Sequence, residues 1–211
     1  MRYFENFPKI AITDQNNNTM LYTNLLTRVN LIPGLINNPS LFYQYNLQEG
    51  DRPDIIATKY YNNPYRYWIF LYGNNIMDPI WDLPMDSNTF ELYLNDKYGT
   101  LATSNNQSVL AYTQSTVYQY QKVVQTIDGD TGTVTTNYYN IDEATYNSLP
   151  SNHITTQNFS DGNSVTLNIT KQIQSIYDYE YQVNENKRSV NIVDKKYSSQ
   201  MEQALATLLS N

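Results

Sequence analysis

The sequence has no cysteine and a single histidine, His153. That excludes a disulfide framework and thiolate metal sites, and one imidazole cannot build a multi-histidine centre. Basic residues are few: 13 Lys and Arg stand against 20 Asp and Glu, for a net charge of -7 and a pI of about 4.6. A sequence-independent grip on nucleic acid needs clustered Lys and Arg, so that class is excluded. No apolar run is long enough to read as a membrane span, and the opening Met1-Arg-Tyr-Phe-Glu-Asn-Phe-Pro8 lacks the apolar centre of a signal peptide. Tryptophan and phenylalanine are sparse, 2 and 6 residues, while tyrosine reaches 21. Tyrosine offers apolar area with a polar handle, which suits extensive, partly wet interfaces as well as strand and core positions. A chain of 211 residues fits one large domain or two small ones.

Residues 1–40 read as an arm with a short helix. Phe4, Phe7, Ile10 and Ile12 give the arm apolar anchors, and Pro8 breaks any helix. An arm of this kind cannot bury its own apolar residues, so it should dock on the rest of the chain or on a partner. Asn16-Asn17-Asn18 marks a turn. Leu21, Leu25, Leu26 and Val29 then follow at helical or mixed spacing until Ile32-Pro33-Gly34.

The stretch 41–99 carries the sharpest signals. A short extended run around Tyr45 meets a turn at Glu49-Gly50. Asp51 and Pro53 suit a helix N-terminus, with Ile55, Ile56 and Tyr60 on one face. Asn63-Pro64 repeats the device, with Tyr65, Trp68, Ile69 and Tyr72 facing inward and Gly73 as a left-handed stop. Ile80-Trp81-Asp82-Leu83 reads as a second strand. A third helix is expected from Asp86-Ser87 to about Tyr98, burying Phe90, Tyr93 and Leu94 and stopping at Gly99.

Residues 100–173 change to Thr, Gln, Ser, Val and Tyr. The alternation from Val109 through Ile127, and again in Val134–Tyr139 and Val165–Ile169, predicts a β-rich insertion, with a short helix after Asp142. In 174–211, Tyr177–Val183 alternates and Val190–Val193 is apolar, which predicts a hairpin turned at Asn184–Lys187. Asp194 then caps a last helix with Tyr197, Met201, Leu205 and Leu208 on its face. The expected class is α+β: a strand–helix–helix–strand unit with an extended N-terminal arm, a β-rich middle insertion, and a C-terminal hairpin plus helix.

Candidate chemistry is thin. Asp128-Gly-Asp130-Thr-Gly132 opens like a calcium loop, but Tyr139 occupies the twelfth position where a bidentate glutamate belongs, so a plain hairpin turn is expected. His153 lies in a Ser/Asn/Thr context without a nucleophile signature and reads as a solvated loop residue. Glu49, Asp51 and Asp54 cluster near one turn, where capping and the helix dipole account for the aspartates. The sequons at Asn158 and Asn168 mean little without a secretory signal. No catalytic constellation, metal site or cofactor site is expected.

The strand–helix–helix–strand unit centred on Tyr45–Asp78 and closed by Ile80–Leu83 resembles a LysM domain. In that family at large, N-acetylglucosamine-containing glycans bind between the first strand–helix loop and the second helix–strand loop. The matching positions are Glu49, Gly50, Asp51 and Arg52 on one side and Asn74, Asn75, Ile76 and Met77 on the other. Three further segments narrow the likeness: Arg2-Tyr-Phe-x-x-Phe-Pro8; Gly50-Asp-Arg-Pro-x-x-Ile-Ala57 with Tyr60-x-x-Asn63-Pro-x-x-Tyr67-Trp68; and Tyr179-Glu-Tyr181-x-Val-Asn-Glu-x-Lys-Arg188. Together they resemble the LysM-like baseplate wedge subunit of contractile-tailed (T-even-type) bacteriophages, over the first hundred residues and about the last forty. The resemblance implies a structural virion protein of the tail baseplate that passes through the host cytoplasm during assembly. Its implied partners are other wedge proteins and neighbouring wedges, clamped into a six-fold ring around the hub, with no catalysis, cofactor, nucleic acid or membrane. Phe4, Phe7, Arg66, Tyr67, Met201 and Leu205 are then the interface candidates, and Trp68 a core residue. The alternative reading is a LysM-type module binding peptidoglycan.

Overall fold

The structure, a computed structural model, describes residues 2–27, 38–160 and 162–209. The predicted Val29 and the Ile32-Pro33-Gly34 stop lie outside the described residues. In chain order the first elements are β1 (Lys9–Thr13), β2 (Thr19–Thr23), β3 (Phe42–Asn46), α1 (Pro53–Tyr61), α2 (Tyr67–Gly73), α3 (Ser87–Ser104) and α4 (Val109–Ser115). Then come β4 (Val117–Asp128), β5 (Val134–Ile141), α5 (Glu143–Ser148), β6 (Asn152–Asn158), β7 (Ser164–Ser175), α6 (Ile176–Asn186), β8 (Ser189–Val193) and α7 (Ser198–Leu209). The chain is mixed α+β with several small sheets, and it forms two compact units: Met1–Asp86 with Asn184–Asn211, and Ser87–Val183.

In the first unit the arm is not a simple extended strip. A short 3-10 turn over Tyr3–Asn6 turns Phe7 into the core, and β1 and β2 then form a hairpin. The Asp14 carboxylate accepts the N–H groups of Asn16 and Asn18 (2.8 and 2.9 Å), and Asn17 takes the left-handed conformation at φ 62°. The helix expected after Met20 is therefore replaced at its start by β2. Leu21, Leu25 and Leu26 are all exposed, so no buried face held a helix there.

β3 pairs antiparallel with β8, from Phe42 opposite Val193 to Asn46 opposite Ser189. Val190, Ile192 and Val193 are buried with α1 and α2 against them. Asp51 does not cap α1: its carboxylate accepts the Gln48 N–H (2.9 Å) and the Tyr45 hydroxyl (2.7 Å), closing a turn where Gly50 has φ 87°. Arg52 holds the cap position without a side-chain capping bond, and Pro53 starts the helix. α1 buries Ile56, Ala57 and Tyr61, one step on from the expected face, leaving Ile55 exposed. It ends on Asn62, left-handed at φ 53°. The Asn63 carboxamide accepts the Tyr65 N–H (3.0 Å) as expected, and α2 buries Trp68, Ile69 and Phe70.

Gly73 is not the left-handed stop. Left-handed geometry falls on Asn75 at φ 54°, and Gly73 serves close approach: a Cβ there would meet Phe42 Cε1 and Val193 Cγ2 at 3.3 Å. Asn74 does what a further strand would do. Its amide donates to the Asn191 carbonyl (2.7 Å) and its oxygen accepts the Asn191 N–H (2.7 Å), closing part of the open edge of β8.

Ile80–Leu83 is not a strand. The Asp82 carboxylate accepts the N–H groups of Met77 and Asp78 (both 2.9 Å), Asp78 accepts that of Ile80 (2.9 Å), and the segment folds into turns between Pro79 and Pro84. Local side-chain acceptors outcompeted the ladder. β8 takes the place of the second strand, so the order β3–α1–α2–β8 encloses the whole second unit in sequence.

The expected C-terminal hairpin is corrected as well, because Ile176–Asn186 is helical. Its inward residues, Ile176, Glu180 and Asn184, recur every four positions, and two of them are polar. The tyrosines that suggested alternation flank this stripe. In the first unit, Asn184 bonds both backbone groups of Met85, accepting from N–H at 2.8 Å and donating to the carbonyl at 3.1 Å. Asp194 accepts the Lys196 N–H (3.0 Å) at the start of the turn into α7, whose buried side chains are Ser198, Met201, Leu205 and Leu209.

The second unit holds a four-stranded antiparallel sheet ordered β5-β4-β7-β6. The 128–132 segment is the expected turn, with Asp128 accepting the N–H groups of Asp130 and Thr131 (both 2.9 Å) and Gly132 at φ 66°. α3 runs through Gly99 without stopping. Val109–Ser115, read as strand from alternation, is helical because Ser108 caps it by accepting the Ala111 N–H (3.2 Å). Glu180 on α6 collects Lys97 (2.7 Å), Tyr93 (3.0 Å) and Tyr98 (2.6 Å) from α3.

Candidate interaction surfaces

The N-terminal turn is fastened by aromatic chemistry. The Arg2 guanidinium lies 4.6 Å from the centre of the Tyr65 ring and donates to its hydroxyl (3.3 Å). Tyr3 stacks at a tilt on Trp68 (6.0 Å) and its hydroxyl is bonded to that of Tyr72. Burial, then the Tyr72 bond, push the Tyr3 phenol well above its ordinary range, so it stays a neutral hydroxyl. Phe4 is half exposed and, with Tyr65 and Tyr67, borders a shallow depression of about 370 Å³. Of the residues expected at an interface, Phe4 and Tyr67 meet here.

Phe7, Met201 and Leu205 do not. They are 5%, 4% and 0% exposed and belong to the core of the first unit, because the arm and α7 bury their apolar residues within the chain. Arg66, expected to be exposed, is largely covered. Its guanidinium forks onto both Glu202 oxygens (2.9 and 3.0 Å) and donates to Ser198 Oγ (3.1 Å). Burial works against ionised Glu202, but the Arg66 bonds and charge outweigh it and hold the carboxyl below the usual glutamate range.

The glycan-groove positions separate into two places. Glu49, Gly50, Asp51 and Arg52 line a cleft of about 290 Å³ with Leu83 and Arg188. Asn74 and Asn75 line a different, open depression of about 710 Å³ with Gln44 and Asn191. Ile76 packs on the core, and Met77 is 81% exposed on the turn beside Trp81. The division follows from β8: the wall facing the first loop comes from 79–86 and Arg188, not from Asn74–Met77.

No family model matches the chain, and no curated protein resembles it closely enough to count as a relative. No group of three or more His, Cys, Asp or Glu side chains poised for a metal ion occurs among the described residues. His153 is exposed on β6, a strand rather than a loop.

Sequence reasoning missed three features. The carboxamides of Asn74 and Asn184 act as backbone substitutes, and no local pattern marks a residue for that work. The Glu180 cluster links positions more than eighty apart. The hairpin β1–β2 had a signal, the Asn16–Asn18 turn between two apolar runs, that was outweighed by the leucine spacing after it.

Proposed function

We propose that the chain is a non-enzymatic structural subunit of the tail baseplate wedge of a contractile-tailed bacteriophage, built on a LysM-like unit and holding wedges together by protein contacts. One observation supports this most. Parts of the segments carrying the sequence resemblance, far apart in the chain, meet in the first unit: Arg2 and Tyr3 lie on Tyr65 and Trp68, and Arg188, at the end of the third segment, donates to the Leu47 carbonyl (3.4 Å) beside the Gly50 turn. The order β3–α1–α2–β8 is what a LysM-like unit would have if a long insertion separated its second helix from its second strand. Exposed Phe4, Met77 and Trp81 suit a subunit whose work is contact with others.

The test is affinity capture of the tagged chain from a lysate of infected cells, with bound proteins weighed and identified. Recovery of other tail and baseplate proteins in fixed ratio is the expected result. A titration with chitooligosaccharide should give no saturable signal; saturable binding with no tail proteins recovered would replace this reading with the glycan-binding one.

A further inference from the structure

Among the described residues of the first unit, the hairpin β1–β2 is an element with both strands uncovered. All ten strand residues are exposed, and among the described residues the ribbon pairs with no other strand. A lone two-stranded ribbon is marginal in water at best. Ile10 opposite Tyr22 and Ile12 opposite Met20 make one face wholly apolar, and Leu25 and Leu26 continue the exposed apolar stretch. Between Ile10 and Leu26 the only charged residue is Asp14, whose carboxylate is occupied with the turn. The ribbon is closed at its base by the Asn24 N–H, which donates to the Pro8 carbonyl (2.8 Å), and Phe7 just before it is buried in the core.

The ladder fixes which backbone groups point outward. The Asp14 N–H donates to the Asn18 carbonyl (3.0 Å), and the Asn24–Pro8 bond repeats the pattern at the other end. By alternation, Ile10/Tyr22 and Ile12/Met20 are the bonded pairs, and the outward groups belong to Lys9, Ala11 and Thr13 on β1 and to Thr19, Leu21 and Thr23 on β2. The two edges are guarded unequally. β1 begins after Pro8 with Lys9, the residue types that discourage strand addition, whereas β2 has neither charge nor proline from Thr19 to Leu26.

We propose that β2 is a strand-addition edge: it takes the unpaired strand edge of a different protein subunit, one that also presents an apolar sheet face to continue Ile10, Ile12, Met20 and Tyr22. This rests on the structural-subunit reading above. A second copy fits less well, because it brings only another ribbon of two five-residue strands, short of the roughly 1,200 Å² of a stable interface, whereas a larger sheet of another subunit can add its face to the edge pairing. Each copy would also bring a net charge of -7. A near-neutral ribbon likewise offers nothing to a charged lipid surface.

The experiment uses the full-length tagged chain and tail assemblies collected from infected-cell lysate. Leu21→Pro removes the central outward N–H of β2, while Leu21→Val keeps it and Ala11→Pro removes its counterpart on β1. Circular dichroism and the denaturation midpoint establish that each variant is folded. Leu21→Pro should recover about tenfold less tail assembly, while the other two recover wild-type amounts. Hydrogen exchange on the wild-type chain supplies an independent readout: the Thr19, Leu21 and Thr23 amides should exchange slowly in the assembly and fast in the free chain. Equal recovery by all variants with those amides unprotected overturns the inference and leaves the function standing. A wild-type chain that recovers no tail proteins overturns both. Concentration-dependent dimerisation of the purified chain, abolished by Leu21→Pro, assigns the edge to a second copy and also overturns it.

Discussion

Trp68 and Arg66 sit at adjacent positions and hold the first unit by different physics. Trp68 is 1% exposed among Tyr3, Phe7 and Tyr72, and its indole N–H is buried without an acceptor among the described residues. Trp68→Ala should cost about 3–5 kcal/mol, read as a fall in the urea midpoint. Trp68→Phe should cost less, since it removes an unpaired donor along with part of the volume. Arg66 contributes a fork, not volume. Arg66→Ala takes both guanidinium bonds from the Glu202 carboxylate and should cost about 2 kcal/mol, and Arg66→Lys should recover only part of this because an ammonium cannot bond both oxygens in one plane. At this scale the sequence was legible where local rules apply. Asn63 caps, Pro53 starts a helix and Trp68 is core. It was not legible at Asn74 or Asn184, whose partners stand about a hundred residues away.

Between elements, the joint of α3 and α6 has a definite acid signature. Burial opposes ionised Glu180, but bonds from Lys97, Tyr98 and Tyr93 outweigh it and leave the carboxyl below its ordinary range. The same contacts raise Tyr98 to about 12, burial leading and Glu180 adding to it. A carboxyl depressed by folding stabilises the fold above its unfolded value, about 4.3, and that contribution disappears as pH falls through the lowered folded value. The thermal midpoint should therefore decline below about pH 4.3, and Glu180→Gln should lower it at pH 7 while flattening that decline. An unchanged acid slope in Glu180→Gln would remove the joint from the account. The reason α6 was misread lies in this cluster. A helix whose buried stripe is Ile176, Glu180 and Asn184 carries no apolar period, while its tyrosines, half out of the core, imitate a strand. β8, by contrast, was found from its own apolar run, and only its partner was mistaken.

For the whole molecule, the arm divides into two parts with different duties. Removing residues 2–7 takes Tyr3 and Phe7 out of the core and should lower the denaturation midpoint. Excising 9–23 and joining Pro8 to Asn24, which are already hydrogen-bonded (2.8 Å), should leave it unchanged. The division into units was the least legible feature. Composition marks a change near Thr100, but the chain crosses into its second unit at Ser87, inside a polar stretch with no shift in character, and returns at Asn184 within a helix. Replacing residues 87–183 by a short Gly/Ser link should give a chain that keeps the first unit's cooperative unfolding, because Met85 and Asn184 already touch.

That contact has a consequence for ancestry. Where a chain leaves and re-enters a folded body through neighbours tied by two hydrogen bonds, the material between them can be gained, traded or lost in a single genetic step without disturbing its host. The two bodies are then free to keep separate genealogies. Descent should be sought separately with residues 1–86 plus 184–211 and with residues 87–183, and each tree read on its own.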